Sequence, residues 1–266
     1  MSALAQPVAP PLGRIASVVA WHARTYRRAW RATITVAFLN PIFFLLSIGF
    51  LLGGLVDRGG ADLGGLSYLE FVAPGLLAAT AMQIGSNEGA FPVMAGMRWI
   101  RTYHGVVATP VRVPELVAGM LLWAAARVLV AALVFAAIAA AVGAFLSPLA
   151  LLAPLAALLC GLAFTAPIAA VAAGSETHVA LTTIFRFAIL PLFLFSGTFF
   201  PIEQLPQALQ PVAWATPLWH GVSLCRDLAT GTAALGPSLL HVAYLVAAIA
   251  AGAIATSLLV SRKLLR

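Results

Sequence analysis

Charged side chains are scarce in this chain of 266 residues: 9% are Asp, Glu, Lys or Arg and 62% are hydrophobic, whereas soluble domains carry roughly 25% charge. Water is therefore not its main solvent. Lysine is rarer still. The single lysine, Lys263, follows Arg262 rather than a glycine-rich turn, so the chain lacks the Gly-Lys-Ser/Thr phosphate cradle of an ATPase. Cysteine is limited to Cys160 and Cys225, one in an expected span and one in an expected outer loop. Their depths differ, so they read as two unpaired thiols. The five histidines, His22, His104, His178, His220 and His241, are scattered with no ligand spacing and no supporting carboxylate cluster. No metal site is expected, and no convergent set of nucleophile, base and oxyanion groups points to an enzyme. The first residues, Met1 to Pro11, lack the basic and apolar regions and cleavage site of a signal peptide. Residues 1–13 read as a disordered cytosolic lead-in.

What the chain does have is long apolar runs, with a mean hydropathy of +1.02. A crossing needs about 20 mostly apolar residues, so the length accommodates six transmembrane helices in one membrane domain, residues 14–266. The expected spans are about 33–56, 70–92, 115–145, 149–173, 179–199 and 237–261. Residues 14–31 set Ile15, Val18, Trp21, Tyr26 and Trp30 against Arg14, Arg24, Arg27, Arg28 and Arg31 with no acid. That mixture reads as an amphipathic helix in the membrane surface, or as the basic flank of the first span. Eleven of the 15 basic residues, Arg14 to Arg31, Arg98 to Arg112 and Arg262 to Arg266, fall on one side of these spans. The positive-inside rule then puts both termini in the cytosol of a plasma (cytoplasmic) membrane. The sequence pI of about 10.4 has its source beside apolar segments, which favours anionic lipid over nucleic acid. Arginine in place of lysine and abundant alanine hint at a GC-rich bacterial genome.

Polar features inside or beside the spans are the candidate functional residues. Between the second and third spans, Met97, Arg98, Trp99, Ile100, Arg101, Thr102 and Tyr103 form a short cytosolic helix whose aromatic and arginine content suits an interface or a lipid-bound surface. Charge within a span costs on the order of 2.5–3.5 kcal/mol. Glu88 and Arg186 stand at matching depths from the cytosolic edge and are expected to pair, with Arg127 as the competing cation. Thr80, Met82, Gln83, Ser86, Asn87, Thr182, Thr183 and Phe187 give the second and fifth spans an apolar path with a few polar groups, suited to an amphipathic substrate. Residues 200–236 are apolar but broken by Pro201, Pro206, Pro211 and Pro217, which fits short re-entrant helices lodged part-way into the outer leaflet.

Two stretches carry a family resemblance: RTYHGVVATPVRVPELVAG after the second span and FLFSGTFFPIEQLPQALQPVAWATPLWHGVSLCRDL after the fifth. In these, and in element order from Arg14 onward, the chain resembles the permeases of ABC-2 type exporters, most closely the branch containing the nodulation-factor exporter permease NodJ and the daunorubicin-resistance permeases. The resemblance implies an all-α integral membrane fold with an N-terminal interfacial helix, a coupling helix at Met97 to Tyr103 that docks on an ATPase, and re-entrant helices at Pro201 to Pro217. It further implies two ABC ATPase subunits that bind the ATP and Mg, with no cofactor in this chain, and a second permease copy, read as a homodimer. The expected activity is outward movement of an amphipathic or lipid-linked substrate such as a lipo-oligosaccharide, glycolipid or drug. The rival readings are a secondary transporter of small hydrophobic molecules, which needs midplane ion-binding groups, and a membrane-embedded lipid-modifying enzyme.

Overall fold

Pro10 and Pro11 lead into the first helix, α1 (Pro11–Tyr26), because a proline near the first helical position gives up an N–H that would be unpaired anyway. The computed structural model describes residues 10–27, 42–47, 53–59 and 63–265. The expected lead-in falls outside those residues up to residue 9, and the helix begins before Arg14. Most of the expected first span, 33–56, also lies outside them, save residues 42–47 and the short α2 (Gly53–Arg58).

The described residues are helical, with no strand among them. Helix α3 (Tyr68–Met94) starts in a reciprocal cap: Ser67 Oγ accepts from the Glu70 N–H at 3.4 Å and the Ser67 N–H donates to Glu70 Oε2 at 2.8 Å. It continues through a wide turn at Ala95–Trp99 into the short α4 (Thr102–Val107). Helix α5 (Val113–Ala141) follows, then a tight turn at Pro148–Leu152 that opens α6 (Ala153–Gly174). Helix α7 (Val179–Phe195) widens at Phe185–Ile189. The proline-rich segment holds α8 (Gln210–Trp214) and α9 (Pro217–Thr230), and α10 (Leu235–Leu264) closes the chain.

Three of these segments, Val113–Ala141, Pro148–Gly174 and Leu235–Leu264, are long and apolar enough to cross a membrane among the described residues. Helix α3 matches them in length but carries Gln83, Asn87 and Glu88. Glu88 is among its buried residues, whereas Gln83 and Asn87 lie on its accessible side. The centre of the bundle is α6: 61% of its most apolar stretch is buried, against 33% for α5 and 17% for α10.

Small residues let α3 and α6 approach backbone to backbone. Gly85 and Gly89 on α3 face Gly161 and Thr165 on α6, and a Cβ at Gly161 would lie 2.8 Å from the Ala81 carbonyl oxygen and 2.8 Å from Val128. Such glycine pairs at i, i+4 are how helices associate where lipid tails remove the hydrophobic drive between them. On the opposite flank, a Cβ at Gly252 of α10 would meet the Pro167 nitrogen at 2.5 Å, and Thr256 donates to the Ala166 carbonyl at 3.0 Å. Lys263 Nζ donates to the Gly174 carbonyl at 2.6 Å, closing the C-terminus of α6 with a cation. The paired residues ascend together, Gly85 with Gly161 and Gly89 with Thr165, then Gly252 with Pro167 and Lys263 with Gly174, so α3, α6 and α10 run parallel.

Enlarging the crossing point tests this packing. Gly161→Val should lower the melting temperature of the purified protein by the equivalent of about 1–3 kcal/mol, the usual cost of overpacking. Gly236→Ala, where a Cβ meets nothing within 4 Å, should leave it unchanged.

Candidate functional site

A single carboxylate fixes α1 against the start of α5. Glu115 accepts from the Arg112 N–H at 2.8 Å, capping α5, and its other oxygen lies 2.7 Å from Arg14 Nη2. Arg14 also donates to the Pro110 carbonyl at 3.1 Å. The two helices can close because position 119 is glycine: a Cβ there would sit 2.7 Å from the Val18 side chain.

Farther along α1, the aromatic face expected from the sequence packs inward. His22 stacks on Trp123 at 6.1 Å, and Tyr26 meets the same indole edge-on at 5.5 Å. Arg127, one turn after Trp123 on α5, lies 4.6 Å over the Tyr26 ring. Its Nη1 is 2.8 Å from Glu88 Oε1 on α3. Helices α1, α3 and α5 thus meet at one ion pair capped by an aromatic ring.

The connection extends to the expected coupling segment. Trp21 contacts Tyr103 at 6.4 Å, and the Tyr103 ring fills the space above Gly96, where a Cβ would meet it at 2.5 Å. Burial first, and then the negative charge of Glu88, push the Tyr103 phenol above its ordinary range. Its hydroxyl is buried without a hydrogen-bond partner among the described residues.

The segment itself is not one short helix. Residues 95–99 end α3 in a wide turn, Arg101 takes a left-handed conformation with φ 58°, and α4 begins at Thr102. A non-glycine residue in that region is strained unless its surroundings hold it; here Met97 and Tyr103 are buried on either side of it. The kink pushes out the residues between them: Trp99 is 57% exposed and Ile100 70%. Arg98 and Arg101 flank that tip, with Arg98 3.9 Å from Glu176, and Thr102 borders a groove of about 460 Å³ between α1 and α4 lined by Ser17, Val18, Trp21 and Val106.

Of the intramembrane charges, Glu88 meets Arg127, the competing cation, and not Arg186. Depth along the helix matched for Arg186 but direction did not. Phe185 stacks on Phe91 at 5.8 Å and so faces α3, which turns the next residue about 100° away onto the exposed side.

The residues expected along the path divide by direction too. Thr80, Gln83 and Asn87 share the accessible stripe of α3, and Thr182, Thr183 and Phe187 lie exposed on α7, Phe187 by 78%. Met82 and Ser86 point into the helix core and are fully buried.

In the proline-rich segment, Pro201 precedes the turn Ile202–Gln204, Pro206 follows it, and Pro211 and Pro217 occupy the first turns of α8 and α9. Each stands where a missing N–H costs nothing. Helix α9 is clamped by Arg226, which donates to the Phe71 carbonyl at 3.2 Å and the Gly197 carbonyl at 2.7 Å and lies 3.9 Å over the Phe71 ring. Cys225 is buried on this helix rather than in a loop, and both thiols are free.

The histidines are less scattered than their numbering implies. His220 Nδ1 and His241 Nδ1 are 2.7 Å apart, 21 residues from each other across the turn at Gly231, with Trp219 and Tyr244 packed around them. The residues straddle the α9–α10 hairpin at mirror positions, a relation visible in sequence once both helix ends are placed. Among the described residues no group of three or more metal-binding side chains assembles.

Residues 15–229 match the model of the family described as ABC-2 type transporter. The chain is 30% identical to Nodulation protein J of Rhizobium meliloti over 218 residues, 80% of each chain. It is 28% identical to Nodulation protein J of Rhizobium leguminosarum bv. viciae over 258 residues, 96% of this chain and 98% of that one. The protein of that name from Bradyrhizobium diazoefficiens is 30% identical over 204 residues, 75% of this chain. No solved structure matches.

Two measurements check the junction. Arg127→Met and Glu88→Gln should each lower the melting temperature, and the double variant should recover part of the loss, with a coupling of about 0.5–3 kcal/mol in the cycle; Arg186→Gln should change stability little. Burial lowers His22 from 6.5 to about 4, so the unfolded chain takes up a proton there before the folded one does. Stability from this residue is present above about pH 6.5 and is lost as the pH falls towards 4. His22→Phe, which also removes an unpaired buried nitrogen, should melt higher than the parent at pH 5 and show a shallower pH dependence.

Proposed function

The chain belongs to the ABC-2 type transporter family, and from that premise we propose that it is the membrane permease of an ATP-driven exporter whose ATPase is a separate polypeptide. It is a transporter membrane component, in keeping with its family and with relatives named for nodulation. In this reading two ATPase subunits bind ATP and Mg and work on two copies of the permease in the cytoplasmic membrane of a bacterium.

One observation carries the coupling role: the exposed Trp99–Ile100 tip is rigidly backed. Its flanking anchors, Met97 and Tyr103, are buried, and Tyr103 leads through Trp21 and α1 to the Glu88–Arg127 pair. A push delivered at the tip therefore reaches the junction of α1, α3 and α5 without passing through a flexible loop. The groove beside it offers a partner further surface of suitable size.

The remaining architecture follows from the same reading. Residues 14–266 form one transmembrane domain of six spans, with α3, α5, α6, α7 and α10 as the second to sixth and residues 33–56 as the first. The basic residues lie on the cytosolic side with both termini. Residues 201–217 re-enter the outer leaflet, supported by the polar and aromatic clamp that Arg226 makes with α3. The accessible stripes of α3 and α7 border the path, and their few hydroxyl and amide groups among alkyl ones suit an amphipathic or lipid-linked substrate. The glutamate–arginine pair serves as a latch between states of the bundle.

Reconstitution with the cognate ATPase tests the assignment. The chain should stimulate ATP hydrolysis, and Trp99→Ala with Ile100→Ser should reduce that stimulation by about tenfold or more, as loss of a central aromatic anchor does, without altering the melting temperature. An ATPase indifferent to the parent chain, or to the altered tip, would remove this reading and favour secondary transport.

A further inference from the structure

Among the described residues, Arg127, Arg186 and Arg226 lie inside α5, α7 and α9 rather than in their last turns, and two of the three are answered within the chain. Arg127 is met by Glu88 and the Tyr26 ring, and Arg226 by two carbonyls and the Phe71 ring. Arg186 has neither ion pair nor hydrogen bond among the described residues, and it is exposed on α7 between Thr182, Thr183, Phe187 and Leu190, which are exposed as well.

Among the described residues no acidic group lies within ion-pair reach of Arg186. The chain has eight acidic residues. Glu88, Glu115 and Glu176 are paired with Arg127, Arg14 and Arg98, and Glu70 caps α3. Glu203 and Asp227 belong to the segment read as outer, the far end from Arg186, and Asp57 and Asp62 fall between the first two expected spans. Residues 28–52 contain no acid at all. A second copy brings the same eight acids and a further unanswered arginine. Seven residues from Val179, Arg186 stands about 10 Å along its helix, where an unpaired charge is costly and marks a site.

We propose that Arg186 is the recognition point for the anionic headgroup, phosphate, sulfate or carboxylate, of the amphiphile that the permease moves. The inference rests on the translocation reading and narrows it from amphiphiles in general to anionic ones. The surrounding face fits both ends of such a molecule: the guanidinium forms paired hydrogen bonds to oxyanions, and Phe187 and Leu190 offer apolar contact to the chain.

The same chemistry occurs in a resident lipid headgroup, so the test separates the two sources. The full chain is placed in nanodiscs of zwitterionic lipid, without ATPase or ATP. Binding is measured for two fluorescent probes with the same alkyl chain, one ending in a phosphomonoester and one in a neutral glucoside. Arg186→Gln should bind the phosphate probe about tenfold more weakly than the parent, Arg186→Lys should fall between, and the glucoside should bind all three within about twofold. The loss should persist when anionic phospholipid is added to the discs. Equal binding of the phosphate probe by parent and Arg186→Gln overturns the proposal. A difference that disappears with anionic phospholipid assigns the site to bulk lipid and overturns it as cargo recognition. Unchanged glucoside binding and melting temperature show that Arg186→Gln folds. Because the readout needs no hydrolysis, failure of ATPase coupling and failure of anion recognition give different results.

Discussion

The contact between Glu88 and Arg127 is the interaction on which the inner half of this structure depends. Two opposite charges 2.8 Å apart sit where water is largely excluded, so neither can be left without the other except at considerable cost. That requirement fixes the rotation of α3 relative to α5. Once Arg127 is committed, its flat upper face is available to Tyr26, and α1, already seated by Val18 at Gly119, gains a second fixed point. Arg14 and Glu115 hold its other end. The aromatic residues between these two points then have little freedom, and Tyr103 is positioned by them rather than by its own short helix.

Elsewhere in the bundle, close approach takes the place of charge. Apolar side chains gain little from leaving lipid for one another, so α3 and α6 gain from contact of their backbones through Gly85, Gly89 and Gly161. A helix buried over most of its surface can retain a paired carboxylate that a lipid-facing helix cannot. This accounts for Glu88 near the end of α3, where Arg127 meets it. The three parallel helices α3, α6 and α10 form a frame, and α9 is inserted at one end of it through Arg226. Prolines at the starts of α8 and α9 make this possible because each short element begins with a residue that asks for no hydrogen bond.

Much of this was legible in the sequence. The later spans fall within a few residues of the observed helices because hydropathy and length act on each segment separately. The amphipathic character of α1 was visible for the same reason. What sequence spacing does not contain is rotation about a helix axis relative to a neighbour. Depth favoured Arg186 as the partner of Glu88 with Arg127 as the competing cation, and the Phe91–Phe185 stack turns Arg186 away from it. Met82 and Ser86 were grouped with Gln83 by proximity in the chain, although one step along a helix separates a core residue from an accessible one. The meeting of His220 and His241 was missed because it depends on two helices folding back around Gly231. The kink at Arg101 was missed because nothing in its neighbours signals a left-handed residue.

The difference between the two candidate partners of Glu88 has consequences beyond geometry. Had Arg186 been its partner, the leftover cation would be Arg127 inside the packed α1–α3–α5 junction, and the accessible face of α7 would carry no unanswered charge. With Arg127 in that place, the balance is local to the α1–α3–α5 junction, and the leftover positive charge is displaced to the exposed side of α7. A bundle that is neutral where it is tightly packed and charged where it is open separates two demands that usually conflict. The packed junction can transmit a displacement as a unit, since no charge must be resolvated when it moves. The open face can exchange one anion for another without disturbing that unit, because Arg186 takes no part in holding helices together.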